Sequence, residues 1–156
     1  MNKGKLVKAI ITSKFNISAV DAWRLLKKSS TLIFITKGLL SFSDSDQFPE
    51  EWLENRSVTS RLKFFGLFPA WNHEIYFQKI SDSVLEIITE EQGGIVSKWE
   101  HLIKVSPTYN DAIILYTDQI DIEAGLFTPF VWLYAHLFYR YRQLRWKRLI
   151  SEQVTS

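Results

Sequence analysis

Two stretches of the chain alternate apolar and polar residues in the same way. Trp71, His73, Ile75 and Phe77 alternate with Asn72, Glu74 and Gln78, while Trp99, His101, Ile103 and Val105 alternate with Lys98, Glu100 and Lys104. Residues two apart share one face of a strand, so each Trp-x-His pair points the same way. Two central strands therefore send wide rings and one imidazole each into a common interior. That pattern suits a lined cavity better than a tightly packed core.

The rest of the chain supplies an ordered set of elements around those strands. Alternation predicts a first strand over 6–15. Ser18 and Asp21 form a capping-box pattern that opens a short helix through Lys27. Ser29 or Ser30 is placed to cap a second short helix carrying Leu32, Ile33 and Ile35, which stops at Gly38. A strand is expected over 39–45 and a loop or single turn over 47–53. Further strands fall near 55–65, 70–80, 83–92, 96–106 and 111–122. Turn signals separate them: Gly66 with Pro69, Ser81-Asp82, Gly93-Gly94, and Pro107 to Asp111. Such spacing predicts an antiparallel meander. Thr128-Pro129 then marks a helix start, followed by an apolar stripe of Phe130, Val131, Tyr134, Leu137, Phe138, Tyr141 and Leu144. Twenty or so residues of helix span roughly 30 Å, enough to cross a sheet. The concave face of the meander is the surface available to it.

Composition narrows the class. At 156 residues the chain is expected to form one domain, 1–156, with a core that needs no staples. Aromatics make up 15% of it, nearly all within predicted elements, which favours a large interior. The absence of cysteine removes disulfide frameworks and thiolate sites and points to a reducing compartment. Residues 1–8 lack the apolar region of a signal peptide, and the run 126–139 is interrupted by Pro129 and His136 and too short to cross a bilayer. A net charge of +2 is too weak to argue for nucleic acid by itself. The expectation is a soluble cytoplasmic protein without stable membrane insertion and without a nucleic-acid partner.

The element order, together with several short strings, resembles a known superfamily. The strings are Phe65-Gly66 with Pro69, His73-x-Ile75, Glu90 near Gly93, Trp99-x-His101, Tyr116-x-Asp118, Ala124-Gly125 and Tyr139-Arg140-Tyr141-Arg142-Gln143. They are similar to a bacterial branch of the START-like, or helix-grip (SRPBCC), superfamily, which includes Bet v 1-type allergens, polyketide cyclases and lipid-transfer domains. The resemblance implies an α+β fold in which a curved antiparallel sheet wraps a long C-terminal helix. It also implies a hydrophobic cavity between them. It does not imply one reaction, because the superfamily holds binders, transporters and enzymes.

The hairpin turns allow a register estimate for candidate chemistry. It places His73 opposite or near Glu91, Trp99 opposite Thr89, and His101 near Ile87. Across the next turn His101 falls close to Tyr116 or Asp118, with Tyr116, Asp118, Ile120 and Ile122 as the inward set. Two pairs follow as catalytic candidates, His73 with Glu91 and His101 with Asp118; a carboxylate beside a histidine fixes its tautomer and raises its pKa. The alternatives are a polar anchor for a ligand and a structural hydrogen-bonded pair at the pocket floor. The expected ligand-binding set combines Trp71, His73, Ile75 and Phe77 with Ile87, Thr89, Trp99 and His101. Tyr116 and Asp118 complete it from the last strand, and Tyr134 and Phe138 from the helix.

No metal site is expected. The same register sets the two histidines roughly 10 Å apart across the sheet and about 13 Å along it, and His136 is expected on the helix near the cavity wall. No cofactor motif occurs. The cluster Arg140, Arg142, Arg145, Lys147 and Arg148 reads as the solvated face of a helix or as a site for an anionic partner, with Arg140 or Arg142 also placed to meet a ligand carboxylate. The apolar tips 66–70 and 48–52 are expected either to rim the cavity or to pack on the long helix. Three functions remain open on this reading. They are binding or carriage of a small hydrophobic molecule, a cyclase- or dehydratase-type enzyme using the His–carboxylate pairs, and a protein-interaction module with a mostly filled cavity. Non-catalytic binding is the leading one.

Overall fold

A computed structural model describes residues 6–154. The N-terminal segment read above as lacking a leader begins with residues 1–5, which lie outside the described residues. Seven strands form one antiparallel sheet: β1 (Val7–Phe15), β2 (Leu40–Phe42), β3 (Arg56–Phe64), β4 (Phe68–Ser81), β5 (Glu86–Gln92), β6 (Lys98–Pro107) and β7 (Ile114–Glu123). Their order across the sheet is β1-β7-β6-β5-β4-β3-β2. Three helices accompany them: α1 (Ala19–Leu26), α2 (Ser29–Thr36) and α3 (Thr128–Val154). This is the helix-grip α+β architecture: a meander closed by β1, with a long C-terminal helix lying across it.

Local chemistry explains most boundaries. Ser18 accepts a hydrogen bond from the Asp21 amide at 3.1 Å and starts α1 as expected. The start of α2 differs, because Lys28 holds the cap position without a side-chain bond and Ser29 is already helical. Gly38 (φ 102°) ends that helix in a backbone conformation that other residues adopt only with strain. Its last carbonyls are satisfied from α3: Arg145 donates to Phe34 O at 3.0 and 3.2 Å, and Tyr141 donates to Lys37 O at 2.5 Å. The short β2 gives way to a 3-10 turn at Ser45–Gln47 where more strand was expected.

Helix α3 faces the sheet differently from the predicted stripe. Ala135, Phe138, Tyr139, Arg142, Gln143, Trp146 and Ile150 are buried, whereas Phe130, Leu137 and Leu144 are exposed (Leu137 62%). The physical reason is that large apolar residues occur all round its first four turns, so apolarity alone does not mark the inner face. Arg142 and Gln143 are buried polar residues, and Arg145 stacks on Phe34 at 4.3 Å. The basic cluster is thus split: Arg140, Lys147 and Arg148 are exposed, but Arg142 and Arg145 are not on a solvated face.

The interior has two apolar clusters. One gathers Phe15, Tyr116 and Trp146 with Trp52 and Phe77, and Phe15 and Tyr116 stack at 5.1 Å. The other gathers Ala9, Ile11, Ile120 and Ile122 under Ala135, Phe138 and Tyr139. The segment 48–52 does not line the cavity; Phe48 and Trp52 join an aromatic chain that ends with Trp52 stacked on Phe77 at 4.6 Å. The facing of α3 is checked by urea unfolding of two variants. Trp146→Ala is expected to cost about 3–5 kcal/mol, and Leu144→Ala to stay within about 0.5 kcal/mol.

Candidate functional site

Helix α3 packs chiefly on β1, β7 and α2. It therefore covers one side of the curved sheet closely and stands off from the β2–β4 side, where α2 packs on β2. A cavity of about 370 Å³ fills the gap. Leu32 and Thr36 of α2, Leu40 and Phe42 of β2, and Leu62 and Phe64 of β3 supply one wall. Trp71, His73 and Ile75 of β4 supply the second, and Val131, Tyr134 and Phe138 of α3 the third. Nearly all of this surface is apolar. Phe127, Phe130 and Ile95 line the cavity while remaining 56%, 73% and 62% exposed, which places its mouth at the start of α3 and the β5–β6 turn. The apolar hairpin tip Phe65, Leu67 and Phe68 is exposed beside this region, with Trp71 at its base.

The Trp71 indole lies on the β5–β6 turn. A Cβ added to Gly93 would fall 2.5 Å from Trp71 Nε1 and 2.9 Å from Asn72 O. At Gly94 it would fall 2.9 Å from Trp71 Cε2. The two glycines therefore serve the cavity wall as well as the turn.

The inner end of the cavity is polar. His73 Nε2 and Glu91 Oε2 are 2.9 Å apart. His101 Nδ1 lies 3.6 Å from Glu91 Oε1, an ion-pair distance, and 3.4 Å from the Tyr139 hydroxyl. Its Nε2 lies 2.8 Å from Asp118 Oδ1. Asp118 Oδ2 accepts from Gln143 Nε2 at 2.9 Å, and the Tyr116 hydroxyl donates to Oδ1 at 3.5 Å. The chain His73–Glu91–His101–Asp118–Gln143 thus links β4, β5, β6, β7 and α3 through the middle of the protein. Burial works against ionising Glu91, but hydrogen bonds from His101 and His73 and their charge outweigh it and hold its carboxyl well below the usual range. Burial likewise opposes charging His101, yet Asp118 and Glu91 raise its pKa. With Glu91 a carboxylate, His73 Nε2 must carry the shared hydrogen. Nδ1 of His73 has no hydrogen-bond partner.

Arg142 completes this end. It is 5% exposed, and its guanidinium sits 4.8 Å over the Tyr139 ring. Its Nε has no hydrogen-bond partner. The charges of Asp118 and Glu91 favour its cationic form against burial. The Trp99 indole N–H, near the Tyr139 hydroxyl, also falls short of hydrogen-bond geometry. Burial pushes the Tyr134 phenol up to about 12 and raises the Tyr139 phenol well above its ordinary value, so both line the cavity as neutral hydroxyls.

These placements separate the candidate residues. Trp71, His73, Ile75, Glu91, Trp99, Tyr134 and Phe138 line the cavity. Phe77, Ile87, Thr89 and His101 lie behind it, around a void of about 40 Å³. Tyr116 and Asp118 are fully buried and line neither space, so they are corrected from wall to core. The β5–β6 register differs by two residues from the estimate. His101 pairs with Thr89 and Ile103 with Ile87, because the turn is centred beyond Gly93 and carries a bridge from Gly93 to Val96. The strands still set the two histidines apart, with β5 between them, yet the side chains of both reach the same Glu91. Among the described residues no group of three or more His, Cys, Asp or Glu is arranged to hold a metal ion. His136 is not on the cavity wall, and it packs against Trp132 at 4.2 Å. A wall residue missed in sequence is Tyr139, because the predicted stripe runs through Phe138 and Tyr141; of Arg140 and Arg142, either of which was placed to meet a ligand carboxylate, it is Arg142 that lines the cavity.

The network fixes a pH dependence. Glu91 has a depressed pKa, so its contribution is present above its ordinary value of 4.5 and is lost as the pH falls toward the folded-state value. His101 has a raised pKa, so its contribution is present below its ordinary value of 6.5 and is lost as the pH rises through the folded-state value. Unfolding free energy is therefore expected to be highest between 4.5 and 6.5 and to decline on both sides. In denaturant titrations across pH, Glu91→Gln should flatten the acid limb and His101→Gln the alkaline limb.

No protein-family model matches the chain, and no curated protein matches its sequence. Solved structures do match it in shape. A START superfamily protein from Mycobacterium smegmatis superposes with a TM-score of 0.66 at 12% identity, covering 94% of this chain and 98% of its own. A conserved protein from Geobacillus kaustophilus gives 0.67 at 14% identity over 94% and 96%. Norcoclaurine synthase from Thalictrum flavum, solved with dopamine and hydroxybenzaldehyde, gives 0.58 at 9% identity over 88% and 87%. Among the described residues no helix is long and apolar enough to cross a membrane. The element order, the sheet and these likenesses together show that the chain has the START-like, helix-grip fold.

Proposed function

We propose that the protein binds and carries a small, largely apolar molecule in the cavity between the sheet and α3. The observation that carries this reading is the cavity itself: about 370 Å³ of space within apolar walls, open at one end. That volume lies in the range of small-molecule pockets. It also argues against an interaction module whose interior is filled by its own aromatics. The solved complex of norcoclaurine synthase with dopamine and hydroxybenzaldehyde supports the idea that this fold takes small molecules.

One observation favours a second reading, acid–base catalysis on the bound molecule. His73 is oriented through Nε2 by Glu91, while Nδ1 on the same cavity-lining residue has no partner. The unpartnered Nδ1 is the nitrogen available for proton exchange with a bound molecule. His101 is engaged at both nitrogens, which makes His101–Asp118 the structural pair and His73–Glu91 the reactive one.

Titration with Nile red, a neutral apolar dye, separates these readings from none. Saturation at one dye per chain is expected, with Val131→Trp blocking it by filling the cavity while leaving the far-ultraviolet circular dichroism unchanged. Under the carrier reading His73→Ala changes dye affinity by less than about threefold, since that ring adds only one edge to an apolar site. No uptake by the unsubstituted protein would contradict cavity binding.

A further inference from the structure

We infer that the molecule held in the cavity is an amphipathic carboxylate, with its carboxyl group against Arg142 and its apolar body directed toward the mouth at Phe127 and Phe130. The inference rests on the cavity-binding reading and adds the chemical class of the ligand. Arg142 is the starting point. The residue is buried, at 5% exposure, and its Nε is withdrawn from solvent. A buried guanidinium ordinarily spends its donors on carboxylates or carbonyls, because an unpaired one is costly. Here its Nε is unpartnered, and among the described residues no carboxylate lies within ion-pair distance of it. Glu91 and Asp118 stabilise its charge from farther away, and their own oxygens are taken by His73, His101 and Gln143. Stacking on Tyr139 and Phe138, at 4.8 and 5.8 Å, offsets part of the cost but uses none of the N–H groups.

The polarity of the vacant valences identifies the partner. Three buried polar atoms on cavity-lining residues have no hydrogen-bond partner: Arg142 Nε, Trp99 Nε1 and His73 Nδ1. The first two can only donate. An occupant that satisfies them must bring acceptor oxygens, which disfavours amines. A planar carboxylate matches the guanidinium fork, and Arg142 is the single Lys or Arg among the residues lining the cavity, which suits one negative charge better than a doubly charged phosphate. Every other part of the wall is aliphatic or aromatic apart from Thr36, His73, Glu91 and the neutral tyrosines, so the rest of the ligand is apolar. The polar end is deep and the mouth is apolar, which sets the orientation: carboxylate inward.

Isothermal titration of the full chain with dodecanoic acid and with 1-dodecanol at pH 7.5 tests this without any variant. The acid is expected to bind one per chain and roughly tenfold or more tighter than the alcohol, the scale of a charge-assisted hydrogen-bonded pair. Arg142→Gln should remove that preference while alcohol binding persists. Arg142→Lys, which keeps the charge next to Glu91 and Asp118 should the Gln variant fail to fold, should reduce it because the fork is lost. Equal affinity for acid and alcohol in the unsubstituted protein would overturn the carboxylate and leave cavity binding standing. An acid preference undiminished in both variants would overturn the role of Arg142. Failure of both probes to bind would overturn the inference together with the reading it rests on.

Discussion

The pairing of His101 with Asp118 is the contact on which the rest of the interior depends. Both side chains are essentially withdrawn from water, at 1% and 0% exposure, and their 2.8 Å contact lies where β6, β7 and α3 converge. Neither could be buried alone, since an uncompensated charge in such a place costs several kcal/mol. Gln143 fastens the pair to α3 through Asp118 Oδ2 and to β1 through Ile11 O. Those bonds orient the helix about its own axis. The face carrying Phe138, Tyr139 and Trp146 is turned inward, and Leu137 and Leu144 are left outside. The polar chain also divides the apolar interior into its two clusters.

The cavity is a consequence of that placement. A helix fixed over β1 and β7 does not fill the bend of the sheet at β2–β4, and the aromatic and aliphatic side chains there line the space that is left. Glu91 joins the floor of this space to the buried pair, because it faces His73 on one side and His101 on the other. Rigidity and binding chemistry are thereby continuous. The same carboxylate that anchors a core imidazole orients a cavity imidazole, and the fixed guanidinium of Arg142 stands beside both. Preorganised polar groups at the end of an apolar space orient a ligand without loss of order on binding.

Much of this was legible in the amino-acid sequence, and the failures have physical causes. Strand faces follow a period of two, so the inward direction of Trp71, His73, Trp99 and His101, and even of Asp118, could be read from alternation. The pairing of each histidine with its carboxylate survived a wrong register because diagonal neighbours on adjacent strands remain within reach. The register itself was not legible: Gly93-Gly94 reads as a two-residue turn, yet pairing resumes only at Glu90 opposite Glu100. Helix α3 was misread in rotation because Trp132, Leu133, Leu137 and Leu144 are as apolar as the residues that face the sheet. Arg142 could be read either with the solvated basic cluster or, like Arg140, as a partner for a ligand carboxylate, since nothing in a run of five cations marks the one that turns inside.

Native mass spectrometry of the protein isolated from its own host, with organic extraction of whatever accompanies it, tests the account most directly. A single apolar compound at one per chain, released on denaturation, is the predicted result. A protein whose native mass is that of the chain alone, and which takes up no apolar compound offered to it, would contradict the account.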